Sequence, residues 1–223
     1  MSSSNIFQRV LYSWFARARD GEMMKVASPV RRKTVLGGMV LAMLAGQVFA
    51  AMEVEGVKFP DRLSVAGKEL GLNGAGVRNK FTAKIYAAGL YLQESKNTVD
   101  AVMKAEGPRR IRLVMLMNLS SDDLGTAFMT ALSNNISDDD KAKILPQISK
   151  YGEMFGQVGM LKKGDIIDTD WIPGVGNQCY LNGKKVGPAL PEVLFYNSVL
   201  SIWLGNKPVD ATLKTRLLAG TKK

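Results

Sequence analysis

The 223-residue chain contains no histidine and a single cysteine, Cys179, and these two shortages remove whole classes of chemistry. Without histidine there is no Ser-His-Asp or Cys-His nucleophilic catalysis and no imidazole-bound zinc or haem; one cysteine allows neither a CxxC redox pair nor a disulfide within the chain. Gly-rich phosphate loops are missing too. The nearest approach, GVGNQC at Gly174 to Cys179, follows a proline and lacks the GxGxxG order, so it reads as a turn. No metal and no cofactor is expected. Cys179 lies between Gln178 and Tyr180 in a strand-like stretch, which favours a buried small apolar residue over a reactive thiol.

Residues 1–50 read as an addressing segment. Arg31, Arg32 and Lys33 supply a positive start, Val35 to Ala45 an uncharged apolar stretch too short to span a bilayer as a helix, and Val48 and Ala50 the small residues of a cleavage site. This order predicts a secretory signal cut after Ala50 and no stable membrane anchor afterwards. Thr34 and Val35 continue the arginine pair poorly for a twin-arginine signal, so the general secretory route is preferred. Translation has three candidate starts, Met1, Met23 and Met24. The style of the signal points to the periplasm of a bacterium. With the segment go seven basic residues (Arg9, Arg17, Arg19, Lys25, Arg31, Arg32 and Lys33) and two acids (Asp20 and Glu22), so the charge falls from +10 to +5. A balance of that size, spread over scattered lysines, describes a solvated surface and not a nucleic-acid footprint.

Residues 51–223 fit a single domain with room for a core. Alternation predicts a strand from Val54 to Phe59 ended by Pro60, then an extended pair from Leu63 to Leu72 with a turn at Ala66-Gly67. Asn73-Gly74-Ala75-Gly76 reads as a turn before a strand from Lys84 to Leu92. A short helix, Thr98 to Ala105, is capped by Asn97, and the strand from Arg109 to Met117, apolar on both faces in its second half, reads as central. Ser120 with Asp123 opens a helix through Leu124, Phe128, Met129 and Leu132; more helix follows from Asp139 to Val158, interrupted at Pro146. Strands return at Asp165 to Ile172 and Gln178 to Leu181, with Asn182-Gly183 as the strongest hairpin signal. Pro191 precedes an apolar helix to Gly205, and Asp210 to Leu218 is a short amphipathic finish. The order describes one α+β domain.

Several segments carry a family resemblance: EGVKFP at Glu55 to Pro60, LNGAGVR at Leu72 to Arg78, KIYAAGLYL at Lys84 to Leu92, PGVGNQCYLNGK at Pro173 to Lys184 and SIWLGNKPVDATLK at Ser201 to Lys214. In order and spacing they resemble the chalcone isomerase-like proteins, in particular a bacterial exported branch, from Val54 to Leu218. The resemblance implies an open-faced β-sandwich, an antiparallel sheet covered on one side by helices, with a ligand cleft between the layers.

Plant enzymes of that family close a flavanone ring using an arginine, a tyrosine, threonines and an asparagine around the anionic nucleophile and enolate. Carried over position by position, the arginine falls on Arg78, but a threonine position holds Tyr86, the tyrosine position Leu124, the asparagine position lies near Ala131, and the last hydroxyl position holds Ile202. Only the arginine is kept. The pattern is similar to the non-catalytic, fatty-acid-binding side of the family, where an arginine and a tyrosine hold a carboxylate; this makes Arg78 and Tyr86 the candidate ligand residues and Met115, Leu124 and Ile202 candidates for the cleft lining. Met103, Met117 and Met129 are further candidates for a compliant acyl lining. Arg78 and Tyr86 share strand parity, but eight residues of straight strand would hold them about 26 Å apart, so they can share a ligand only if the chain folds back between them. Three readings follow: a module binding a fatty acid or similar apolar anion, an isomerase of the intramolecular lyase type, and a partner-binding protein whose cleft is closed by its own side chains. The oligomeric state is not legible.

Overall fold

The computed structural model describes residues 51–220; the signal-like segment and the cut after Ala50 fall outside them. The expected single strand from Val54 to Phe59 is two strands, β1 (Ala51–Val54) and β2 (Val57–Pro60), paired as an antiparallel hairpin. Glu55 and Gly56 both take positive φ, 52° and 77°, which makes a tight reversal where alternation alone suggests continuity. After β3 (Arg62–Val65), the Ala66-Gly67 turn leads into the 13-residue β4 (Lys68–Lys80).

The turn expected at Asn73 to Gly76 is instead the middle of β4. Its glycines serve close packing: a Cβ on Gly74 would lie 2.1 Å from the Arg216 carbonyl oxygen and one on Gly76 2.9 Å from Arg216 Cβ. Asn73 is buried and fastens the same region, donating from Nδ2 to the carbonyls of Leu217 (2.7 Å) and Lys96 (2.9 Å).

Then follow β5 (Ala83–Leu92), helix α1 (Val99–Met103), β6 (Arg109–Met115) and β7 (Leu119–Ser120). Thr98, and not Asn97, caps α1, its hydroxyl accepting from the Ala101 N–H. Helices α2 (Ser121–Ser133), α3 (Asp138–Lys143) and α4 (Leu145–Gly156) come next. The Ser120 hydroxyl accepts from the Asp123 N–H at 3.1 Å, as the capping pattern predicts. The chain closes with β8 (Met160–Leu161), β9 (Ile166–Ile172), β10 (Gly176–Leu181), β11 (Lys184–Leu190), α5 (Val193–Leu204) and α6 (Ala211–Leu217).

Seven strands form one antiparallel sheet in the order β11-β10-β9-β6-β5-β4-β3, with β6 at its centre as its two-sided apolarity predicts. One face, through Tyr86, Ala88, Leu90, Ile111, Leu113 and Met115, packs against the helices in the main core. On the other, Phe59 of the β1–β2 hairpin presses onto Leu72, Ala87, Tyr91 and Val114. That second face also carries an ion-pair ladder: Arg110 grips Asp170 through two 2.6 Å bonds, and directly beside it Arg112 grips Asp168 at 2.7 and 2.8 Å. The architecture is the α+β arrangement expected, an antiparallel sheet with its helices on one side.

Candidate binding site

Between sheet and helices lies a cavity of about 590 Å³. Leu113, Ile167 and Thr169 form its floor on the sheet; α2, α4 and the C-terminal half of α5 form its walls, with Leu124, Phe128, Phe155 and Ile202 among the apolar groups facing in. Its volume falls in the ordinary range for small-molecule sites, roughly 300–1,000 Å³. Two glycines inside the helices, Gly125 of α2 and Gly152 of α4, line it, and a Cβ added at either would meet nothing within 4 Å. Neither position puts a side chain into the space.

One end of the cavity is polar. β4 and β5 are joined by a two-residue reversal at Phe81-Thr82, with Phe81 at φ 55°, which makes Arg78 and Tyr86 cross-strand partners. The fold-back that a shared ligand requires is therefore present, and the guanidinium carbon sits 5.6 Å from the centre of the Tyr86 ring. Tyr86 is buried, and its hydroxyl oxygen accepts the indole N–H of Trp203 at 2.9 Å. This leaves the phenolic hydrogen to donate. Burial pushes the Tyr86 pKa up, against the opposing influence of the Arg78 charge and of hydrogen bonds from Trp203 and Arg78, so the group remains a neutral donor. Arg78 Nε is buried without a hydrogen-bond partner, and none of the ion pairs among the described residues involves Arg78. A cation with an unpartnered Nε and a phenol with its hydrogen to donate, facing an apolar chamber, suit a carboxylate at the head of an apolar molecule.

Of the residues singled out from sequence, Arg78, Tyr86, Leu124 and Ile202 line the cavity, and Met115 does not. Met115 is directly opposite Tyr86 in the sheet but is 1% exposed and enclosed in the core; correct parity gave it the right face without an open neighbour. Met129 is on the wall, whereas Met117 is partly exposed to solvent and neither it nor Met103 reaches the cavity. Sequence reasoning missed Trp203, Tyr151 and Thr169. Trp203 was hidden in a helix apolar all round, and no local pattern marks a tyrosine on α4 or a threonine in β9 as cavity-facing. Cys179 is fully buried, and burial pushes its thiol up to about 11, consistent with an inert core residue. Among the described residues no group of three carboxylate or thiol side chains could hold a metal ion.

Residues 51–219 match the family described as chalcone isomerase-like, and the chain belongs to that family. The fold is similar to that of a solved fatty-acid binding protein from Arabidopsis thaliana, with a TM-score of 0.59 and 20% identity, covering 73% of this chain and 92% of that one. No curated protein matches by sequence.

Proposed function

We propose that this member of the chalcone isomerase-like family is an exported, non-catalytic binding module that holds a fatty acid or similar apolar anion, with Arg78 and Tyr86 on its carboxylate. One observation carries the reading: an apolar cavity of about 590 Å³ ends at a half-buried arginine whose Nε has no partner and a buried tyrosine that keeps its phenolic hydrogen to donate. The Arabidopsis neighbour, a fatty-acid binding protein, supports the same direction. A partner-binding protein with a closed cleft is the weaker reading, because the cleft is open. Each methylene laid into the cavity contributes about 0.8 kcal/mol, and a charge-assisted head-group bond adds about 1.5–3 kcal/mol. In this reading residues 1–50 direct export to the periplasm and are removed after Ala50.

The test is native mass spectrometry of the periplasmic protein, followed by organic extraction. Expected are an N-terminus at Ala51 and a stoichiometric acyl acid that is lost in Arg78→Ala. A clean apo mass that takes up no added fatty acid would overturn the binding reading, and an intact first segment the export reading.

A further inference from the structure

The end of the sheet where β4 turns into β5 differs from the opposite end in charge. Four connections meet there: residues 80–84, 116–118, 162–165 and 182–185. They carry six exposed lysines, Lys80, Lys84, Lys162, Lys163, Lys184 and Lys185, against one carboxylate, Asp165. At the other end, residues 66–69, 93–96, 104–108, 173–175 and 191–192 carry three lysines against four glutamates. Of the six, only Lys84 is in an ion pair among the described residues, with Glu55 at 2.6 Å. Asp165 accepts from the Lys162 N–H and from Nδ2 of Asn182. Other acids at this end are engaged as well: Asp210 accepts from the N–H groups of Asn79 and Leu213, and Asp122 and Asp123 lie in the first turn of α2, where the helix N-terminus offsets their charge.

Phe81 stands at the tip of this basic end. It is 96% exposed at φ 55°, so its ring contributes nothing to the core while its backbone holds a conformation that a bulky residue adopts only under strain. Asparagine or glycine would make the same turn without that strain. Beside it, the Leu116 N–H bonds the Ile85 carbonyl at 3.0 Å, which sets the exposed Met117 next to Lys84. Stability of the domain gives no reason for a phenylalanine at this position.

We propose that this end of the sheet docks on a lipid bilayer carrying anionic headgroups, with the Phe81 ring entering the interface and the six lysines against the phosphates. Three features fit a bilayer better than a protein partner. The lysines are spread over five strand spacings, about 24 Å, which suits a fluid array of phosphates more than one pocket. Arginine, which protein interfaces favour over lysine, is absent from these four connections. Aromatic rings among lysines are what interfacial segments present to a membrane. Arg78 is three residues before Phe81, about 10 Å along β4, so the docked domain holds the polar end of its cavity close to the bilayer surface. The docking surface itself does not depend on what the cavity holds.

The test is flotation of the domain, residues 51–223, which contains its own core, with vesicles of phosphatidylcholine with or without phosphatidylglycerol. The expected result is binding to the anionic vesicles alone, weakening as salt is added. Phe81→Asn should weaken it about tenfold without lowering the melting temperature. The double variant Lys162→Gln/Lys163→Gln should weaken it about thirtyfold, at about fivefold for each lysine, and Lys68→Gln/Lys104→Gln, at the opposite end, should leave it unchanged. No binding to either vesicle, equal binding to both, or anionic-vesicle binding that Phe81→Asn and the Lys162 and Lys163 substitutions leave intact overturns the proposal. Retention on polyglutamate without vesicle binding also overturns it and assigns the patch to an acidic protein. Flotation is read without a cavity ligand, so the acyl-binding reading stands or falls separately by the extraction above.

Discussion

Replacing Gly152 should separate folding from function in opposite directions. Gly152 lies inside α4 at the solvent-exposed edge of the cavity, and its added Cβ would meet no atom within 4 Å. Gly152→Ala therefore brings only the gain in helix propensity, about 0.8–1 kcal/mol. Gly152→Leu adds an apolar side chain to a space lined by Phe128, Tyr151 and Phe155; burial of such a group is worth about 1.5–3 kcal/mol in full, and part of that is expected here. For a domain of this size each kcal/mol moves the melting temperature by about 2–4 °C, so the alanine variant should melt about 2–4 °C higher and the leucine variant about 3–10 °C higher. The leucine would meanwhile displace about three ligand methylenes. At about 0.8 kcal/mol each, dodecanoate should bind on the order of fifty- to a hundredfold more weakly. Thermal melts of apo protein and displacement titrations read the two effects separately. A Gly152→Leu protein that melts lower than wild type would mean that the space is not available, and one that is stabilised yet binds normally would place the acyl chain elsewhere.

Gly74→Ala forces a Cβ against the Arg216 and Leu217 carbonyls, so α6 must lift from β4; a loss of about 2–4 kcal/mol is expected in urea titrations, with Gly71→Ala, whose nearest atoms lie at 3.9 and 4.0 Å, close to neutral. In Gly89→Ala the new methyl meets the Phe59 ring at 2.6 Å, which should cost about 1–3 kcal/mol and be partly recovered by Phe59→Leu; no recovery would refute the contact. Arg109 is 1% exposed, donates to the carbonyls of Val102 and Met103 and to Asn197, and lies over Tyr196. Arg109→Ala should lower stability by about 3–5 kcal/mol, and Arg109→Lys, which cannot reproduce the fork, should recover little of it in the same melts. The Cys179 thiol is raised from 9.0 to about 11 by burial, so the folded state holds its proton where the unfolded chain has released it. Stability is fully present below pH 9 and falls as pH rises toward 11, and Cys179→Ala should flatten that alkaline slope by up to about 1.4 kcal/mol per pH unit.

The same dipeptide, Asn-Gly, occurs at residues 73–74 and 182–183 with opposite outcomes, which shows where local reading ends. Asn182 and Gly183 both adopt positive φ, 51° and 77°, and the hairpin between β10 and β11 follows from that backbone freedom alone. Asn73-Gly74 is extended, because Asn73 spends its side chain on Leu217, Lys96 and Ser95 and Gly74 admits α6. Those partners lie as far as 144 residues away, and no window along the chain contains them. The converse failure occurs at Phe81, 96% exposed at φ 55°. A bulky residue gives no turn signal, so the reversal that brings Arg78 to Tyr86 was not legible, and of the strands on either side only the one from Lys84 to Leu92 was.

The cavity was legible only through family resemblance, since an empty space has no residue pattern. Its position nevertheless coincides with departures from what stability alone would select. Helix-interior glycines cost about 0.5–1 kcal/mol each relative to alanine, and Gly125 and Gly152 both face this space. A buried guanidinium nitrogen without a partner costs more than a satisfied one, and Arg78 Nε is at the same cavity. Sequences that specify one structure tend to break local rules at sites of function, and three such breaks around one chamber are hard to explain as packing. An occupant with an apolar body and an anionic head would satisfy all three together: its methylenes fill the space beside the glycines, and its carboxylate takes the Arg78 and Tyr86 donors.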